Sequence, residues 1–262
     1  MIFPTKTLSL AVLIIFCGLI YYSMLAGKKG KELPKIRRIP ALEAIDEAIG
    51  RATELGAPVH FSPGRGGLIE EEAGQMLASF QFLSYIARQC AKYKTQLIAT
   101  ICDAIVFPVA EEIVRQAYIA EGAPERFTPE TVRYLSNDQM AYCTAVLGVF
   151  QREKPAANFM IGAWYAETML IAEGAAVIGA MQVGGTARLF QLPFLVVSCD
   201  YCLLGEEVFA GGAYLGKDPV QLGSLAGQDI CKLICSGIIV VGVVTRLLGW
   251  TYFYDVIGKL GK

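Results

Sequence analysis

Apolar positions divide the chain into a long uncharged run near each end and, between them, short apolar runs alternating with helically periodic segments. Leu8–Ala26 (LSLAVLIIFCGLIYYSMLA) carries no charge over nineteen residues. As a helix it spans about 28 Å, enough to cross the hydrocarbon core of a bilayer. It is longer than a signal-peptide core, and no small-x-small cleavage pattern comes before the basic run that follows, so it reads as an uncleaved anchor. The second run, Ile230–Trp250, spans about 31 Å as a helix. Lys232 and Arg246 lie near its ends, and Trp250, Tyr252, Phe253 and Tyr254 form an aromatic belt beyond it. Asp218–Pro219 caps this last helix, and Gly223 and Gly227 read as loosening its junction.

Pro40 opens a segment with apolar residues at Leu42, Ile45, Ala48, Ile49 and Ala52, a helical spacing closed by Gly56. A β-like run, Val59–Phe61, follows. From Ile69 to about Lys94 the helical period returns, with Glu70, Glu71 and Glu72 at its start and Arg88, Lys92 and Lys94 toward its end, as the helix dipole favours. Gln96–Cys102 predicts a buried strand, and Pro108 opens a helix that stops at Gly122. Thr128–Pro129 and Ser136–Gln139 both read as helix starts, the second a capping box leading into Met140–Arg152. Phe159–Trp164 predicts a strand and Tyr165–Met181 a helix ended by Gly184 and Gly185. Leu192–Ser198 reads as the clearest strand of the chain and Leu203–Leu215 as a further helix. Together these elements predict an α/β, Rossmann-like, mainly parallel sheet flanked by helices, with one transmembrane helix at each end.

A competing map turns Phe159–Met181 and Phe190–Leu204 into two further spans. Glu167 and Glu173 weigh against it, since a charge at mid-span costs ~3 kcal/mol on insertion scales. The preferred division is an anchor at 1–27, a basic juxtamembrane linker at 28–39, an α/β domain at 40–218, a second transmembrane helix at 219–252 and a tail at 253–262. Charge orients it. Lys6 stands alone before the first run, whereas Lys28, Lys29, Lys31, Lys35, Arg37 and Arg38 follow it. The positive-inside rule then gives an integral membrane protein with its N-terminus outside and its main domain cytoplasmic.

Composition narrows the function classes. Apolar residues make up 54% of the 262 residues and charged ones 18%, with a net charge of −1, which excludes nucleic-acid binding through a broad basic surface. The expected partners are membrane lipid, further copies of the chain in a homo-oligomer, and a small anionic ligand. No cofactor is assigned.

The ligand is expected at Ser62–Gly67 (SPGRGG), where Ser62, Gly64, Arg65, Gly66 and Gly67 follow a strand and precede a helix. Backbone N–H groups converge on anions in such loops, and Arg65 offers a bidentate contact. The spacing matches neither the dinucleotide fingerprint nor the P-loop, and tight α/β packing makes similar loops without a ligand. His60, the one histidine, stands beside the loop as a ligand contact or general base, or else as a hydrogen-bonded core residue. Glu167 and Glu173 need partners if buried, and Arg65, Arg133 or Arg188 would supply them. Cys199, Cys202, Cys231 and Cys235 read C-x2-C-x28-C-x3-C, a four-thiolate pattern without the glycine turn of zinc ribbons; structural thiols explain it better, and no metal is assigned. Gly211–Asp218 nearly spells a P-loop but puts Asp218 where a hydroxyl belongs.

In SPGRGG (Ser62–Gly67), AEGAAVIGA (Ala172–Ala180) and SCDY (Ser198–Tyr201) the chain resembles an uncharacterised family of bacterial and archaeal membrane proteins, known as a domain of unknown function. That resemblance implies that these blocks belong to one domain and carries no catalytic assignment. The expected function is a membrane-anchored α/β module binding a nucleotide or phosphorylated metabolite at the glycine loop. The alternative is a structural protein that oligomerises through its spans without a ligand.

Overall fold

The structure, a computed structural model, describes residues 7–29, 39–69, 71–216 and 219–248. Most of the basic linker, Glu70, the Asp218 cap, the aromatic belt and the tail lie outside the described residues. In chain order the elements are α1 (Thr7–Lys28), α2 (Pro40–Leu55), β1 (Val59–Gly64), α3 (Ala73–Tyr93), β2 (Leu97–Ile101), α4 (Val106–Ala120), β3 (Val132–Tyr134) and α5 (Gln139–Glu153). They continue with β4 (Ala157–Ala163), α6 (Glu167–Val177), β5 (Met181–Thr186), α7 (Leu192–Ser198), β6 (Tyr201–Leu204), α8 (Glu207–Gly216) and α9 (Pro219–Leu247). The chain forms two compact units, one holding α1 and α9 and the other everything from α2 to α8.

In the first unit, α1 and α9 are both long and apolar enough to cross a membrane. They pack antiparallel. A Cβ on Gly223 would lie 2.6 Å from the Ser23 carbonyl oxygen, and one on Gly227 would lie 2.9 Å from Ile20 Cα. The two glycines therefore let the backbones touch, as small residues do between apolar helices, and do not loosen the junction.

The second unit is a six-stranded, wholly parallel sheet in the order β3-β2-β1-β4-β5-β6, the order of doubly wound dinucleotide-binding folds. Local signals start and stop its helices. Pro40 begins α2, and Gly56, at φ 62°, ends it by donating to the carbonyls of Ala52 and Thr53. Asp138, not Ser136, caps α5, its side chain accepting from the Ala141 N–H.

Strand alternation sorts the sheet into two different faces. Val59, Phe61, Leu97, Ala99, Phe159 and Val183 form an apolar face under α2, α3, α4 and α8. His60, Ser62, Thr100, Asn158 and Gln182 alternate with them onto the other face, covered by α5, α6 and α7, and all five are buried.

Three expectations are corrected. Leu192–Ser198 is a helix with Pro193 in its first turn, and only Leu195 is buried. Seven residues are too few to show a period, and a run of Leu, Phe and Val reads equally as strand. The expected helix over Tyr165–Met181 ends at Val177, and Gly184 and Gly185 lie inside strand β5. A Cβ on Gly184 would lie 2.9 Å from Leu195 Cδ2 and 2.8 Å from Cys199 Sγ, so this glycine makes room for α7. Thr128–Pro129 starts a turn into β3 and no helix. Phe159–Met181 and Phe190–Leu204 divide between strands and helices of this unit, so neither is a membrane span.

Candidate functional site

The polar residues beneath α5 to α7 form one continuous hydrogen-bond chain. Gln182 Nε2 donates to the carbonyls of Ala172 and Ser198, and Asn158 Nδ2 donates to Gln182 Oε1. The Asn158 Oδ1 is then left to accept from His60 Nδ1 at 2.7 Å, so Nδ1 carries the proton and Nε2 accepts from the Thr100 hydroxyl at 2.9 Å. The Tyr142 hydroxyl bridges Thr100 and Ser62, and Ser62 Oγ accepts from the Gly64 N–H. Every donor points one way along this line, across β5, β4, β1 and β2.

His60 is fully buried and spends both ring nitrogens here, and burial lowers its pKa to about 4. Ser62 is likewise committed. Both residues expected beside a ligand thus stay inside the sheet, which fits the core reading of His60 and leaves it no ring nitrogen for use as a base.

The glycine loop is also largely absorbed by packing. Gly64, at φ 76°, presses against the Ala163 carbonyl, where a Cβ would collide, and the Arg65 N–H donates to that carbonyl at 2.8 Å. Across the strand pair Gly162, at φ 152°, meets the Pro63 carbonyl in the same way. The β1/β4 register shifts between Ser62 and Gly64, a bulge just before the last pair of the two strands, Gly64 with Ala163. Gly66 and Gly67 are buried as well.

Arg65 is the loop residue that faces outward. With Cys102 and Asp103 after β2, Asn137 before α5 and Tyr165 after β4, it lines a cleft of about 280 Å³ at the carboxyl ends of the strands. Its Nη2 donates to the Asn137 carbonyl at 3.1 Å, but its Nε is buried without a partner. Among the described residues the other buried side-chain donor in that state is Trp164 Nε1, at the end of the neighbouring strand. Asp103 Oδ1 accepts from the Ile105 N–H, and Asn137 Oδ1 accepts from the Ala104 N–H, which fixes the cleft wall. Burial pushes the Cys102 thiol up, partly offset by the adjacent Arg65 guanidinium.

The opening of α3 differs from a dinucleotide site. Glu72, the residue before the helix, is buried and paired with Arg188, which stacks 3.9 Å above the Tyr165 ring, while the Tyr165 hydroxyl donates to Glu72. Where a phosphate would use the positive helix end, the chain places its own carboxylate.

Glu167 is buried, but its contacts are Gln139 Nε2 and the Tyr165 N–H, not an arginine. Arg133 pairs with Glu153 and Glu130, and Arg188 with Glu72. Glu173 is exposed and needs no partner. All eight cysteines are free. Cys199 and Cys202 join α7 to β6, whereas Cys231 and Cys235 belong to α9 in the other unit. Among the described residues no three His, Cys, Asp or Glu side chains are grouped to hold a metal. In a second cavity, about 360 Å³ at the amino ends of β2 and β3, Arg126 donates to the Lys94 carbonyl, Thr95 bonds Thr53 and Thr128 bonds Thr131.

Sequence reasoning found Arg65 and missed its neighbours. Asp103 had a signal available, an acidic residue directly after a strand, but the fingerprint places it about 20 residues beyond its glycines, and here 36 residues separate it from Gly67.

A family model described as a domain of unknown function, DUF6754, matches residues 2–257, and the chain belongs to that family. No curated protein and no solved structure matches it.

Proposed function

We propose that this member of the DUF6754 family is a membrane-anchored binding module that holds a small anionic ligand, a nucleotide or phosphorylated metabolite, in the Arg65 cleft. The observation that carries the reading is the Arg65 guanidinium, set in a cleft at the carboxyl edge of a doubly wound sheet with its Nε buried and unpartnered. A buried donor without a partner costs about 1–3 kcal/mol, which an oxyanion on the guanidinium recovers. Asp103 supports the nucleotide version, because a carboxylate after β2 accepts a ribose hydroxyl. The Glu72–Arg188 pair moves the ligand toward β1 and β2, away from the start of α3.

In this reading α1 and α9 hold the α/β unit at the cytoplasmic side, with the N-terminus outside. Binding is favoured over catalysis, since the one histidine is sealed in the sheet and is not placed to act as a base in the cleft. The rival reading, assembly without a ligand, draws on the glycines of the loop, which serve packing. A thermal-shift panel of nucleotides and phosphorylated metabolites separates the two. At a hundred times its Kd a ligand stabilises by about 2.7 kcal/mol, a shift of several degrees that Arg65→Gln should abolish. A silent panel, or a hit indifferent to Arg65→Gln, would sink the binding reading.

A further inference from the structure

Two thiols of the α/β unit lie outside the cleft and the polar chain. With Cys231 and Cys235 in the other unit, Cys199 and Cys202 stand as a pair of their own, Cys-Asp-Tyr-Cys, between α7 and β6. Both are half-buried, whereas Cys90, Cys102 and Cys143, the other cysteines of this unit, are buried. The chain bends at Asp200 between them, and Gln182 of β5 holds that bend from two sides. Its N–H donates to Asp200 Oδ2 at 2.7 Å and its Nε2 donates to the Ser198 carbonyl.

The sheet brings the two sulfurs together. Cys202 is paired in register with Gly184, so the two residues point to the same face. A Cβ on Gly184 would lie 2.8 Å from Cys199 Sγ, so that sulfur fills the room the glycine leaves beside the Cys202 side chain. Both cysteines also converge on the Leu195 carbonyl, which accepts from the Cys199 N–H at 2.8 Å and from the Cys202 thiol at 3.3 Å. A hydrogen bond shared by the thiols pushes Cys199 up and brings Cys202 down, against burial and the Asp200 carboxylate. Cys202 is thus the readier thiolate, and Cys199 keeps its proton.

From this geometry we infer that Cys199 and Cys202 form a redox-active dithiol, closed to an intramolecular disulfide by exchange with a low-molecular-weight disulfide such as oxidised glutathione. The Cys202 thiolate attacks one sulfur of RSSR, forming the Cys202–SR bond and releasing RS⁻, which takes up the proton that Cys202 gave up. Cys199 then loses its proton and attacks the Cys202 sulfur. The Cys199–Cys202 bond forms, and the second RS⁻ leaves, taking that proton. Two protein thiols are oxidised by two electrons, and one RSSR is reduced to two RSH. The new bond ties the end of α7 to β6.

The test equilibrates the full chain, in mild detergent, with glutathione buffers of rising oxidised fraction. Acid quenches the exchange, the free thiols are alkylated after denaturation, and peptide masses read each cysteine. The expected result is joint loss of the Cys199 and Cys202 thiols, in one peptide lighter by two hydrogens, while Cys90, Cys102 and Cys143 stay alkylated. In Cys199→Ser the reaction should stop at a glutathione adduct on Cys202. In Cys202→Ser the remaining Cys199 should react more slowly by about ten-fold or more. Full alkylation of both cysteines in oxidised glutathione alone, or a glutathione adduct that persists on wild-type Cys202, would overturn the inference. So would equal oxidation of the three buried thiols, the mark of unfolding and not of a site. The wild-type masses decide the matter even where a serine variant fails to fold.

Discussion

The two faces of one sheet solve burial in opposite ways. Under α2, α3, α4 and α8 the strands present Val, Phe, Leu and Ala, and non-directional packing does the work. Under α5, α6 and α7 the same strands present His60, Ser62, Thr100, Asn158 and Gln182, linked into one hydrogen-bond chain that Ser62 joins through the Tyr142 hydroxyl. The apolar face tolerates volume-conserving exchange. The polar face does not, because a single lost partner leaves a donor or acceptor stranded in low dielectric. A parallel strand buried on both sides thus need not be uniformly apolar, provided its polar groups close on themselves.

The largest effect should come from the apolar face. Phe159→Ala removes a fully buried ring beneath the helices and should cost about 3–5 kcal/mol in denaturant unfolding, with Phe159→Leu recovering most of it. Next is protonation of the polar face. The His60 pKa is about 4 when folded, below its ordinary 6.5, so the unfolded chain binds the proton more tightly. Stability from this group is complete above pH 6.5, falls as pH drops toward 4 by about 3 kcal/mol, and then levels. Unfolding free energies across that window should lose this slope in His60→Gln; an unchanged slope would show that other groups carry it.

Single bonds of the polar chain come next. Asn158→Ala strands His60 Nδ1–H and Gln182 Oε1 together and should cost about 2–3 kcal/mol. Tyr142→Phe keeps the ring in place, frees the Ser62 and Thr100 hydroxyls, and should cost about 1–2 kcal/mol. If either proves neutral by chemical denaturation, the polar face is held by packing like its opposite, and the contrast between the faces collapses.

How much of this was legible in the sequence follows from where each signal resides. Helix α2 announced itself through Pro40, its 3.6-residue spacing and Gly56, all local features. Strands β1, β2 and β4 showed as short apolar runs. Strand β5 did not, because Gly184 and Gly185 look like a helix stop, and the reason for Gly184 is the distant Leu195 and Cys199 above it. Helix α7 was hidden because its apolar residues face outward, the reverse of what hydrophobicity implies. At the site, Arg65 was conspicuous among glycines, but its cleft is assembled from the ends of β1, β2 and β4 and the start of α5. The burial of His60 was equally beyond local reading, since Asn158 and Thr100 reach it from strands 98 and 40 residues away.

One titration separates the sealed network from the open cleft most directly. The tightest hit of a nucleotide panel, titrated calorimetrically at pH 7.5 into wild type, Arg65→Gln and His60→Gln, should bind the first and third alike and fail with the second. Binding that survives Arg65→Gln but is lost in folded His60→Gln would place the ligand on the buried network and contradict the division between the two.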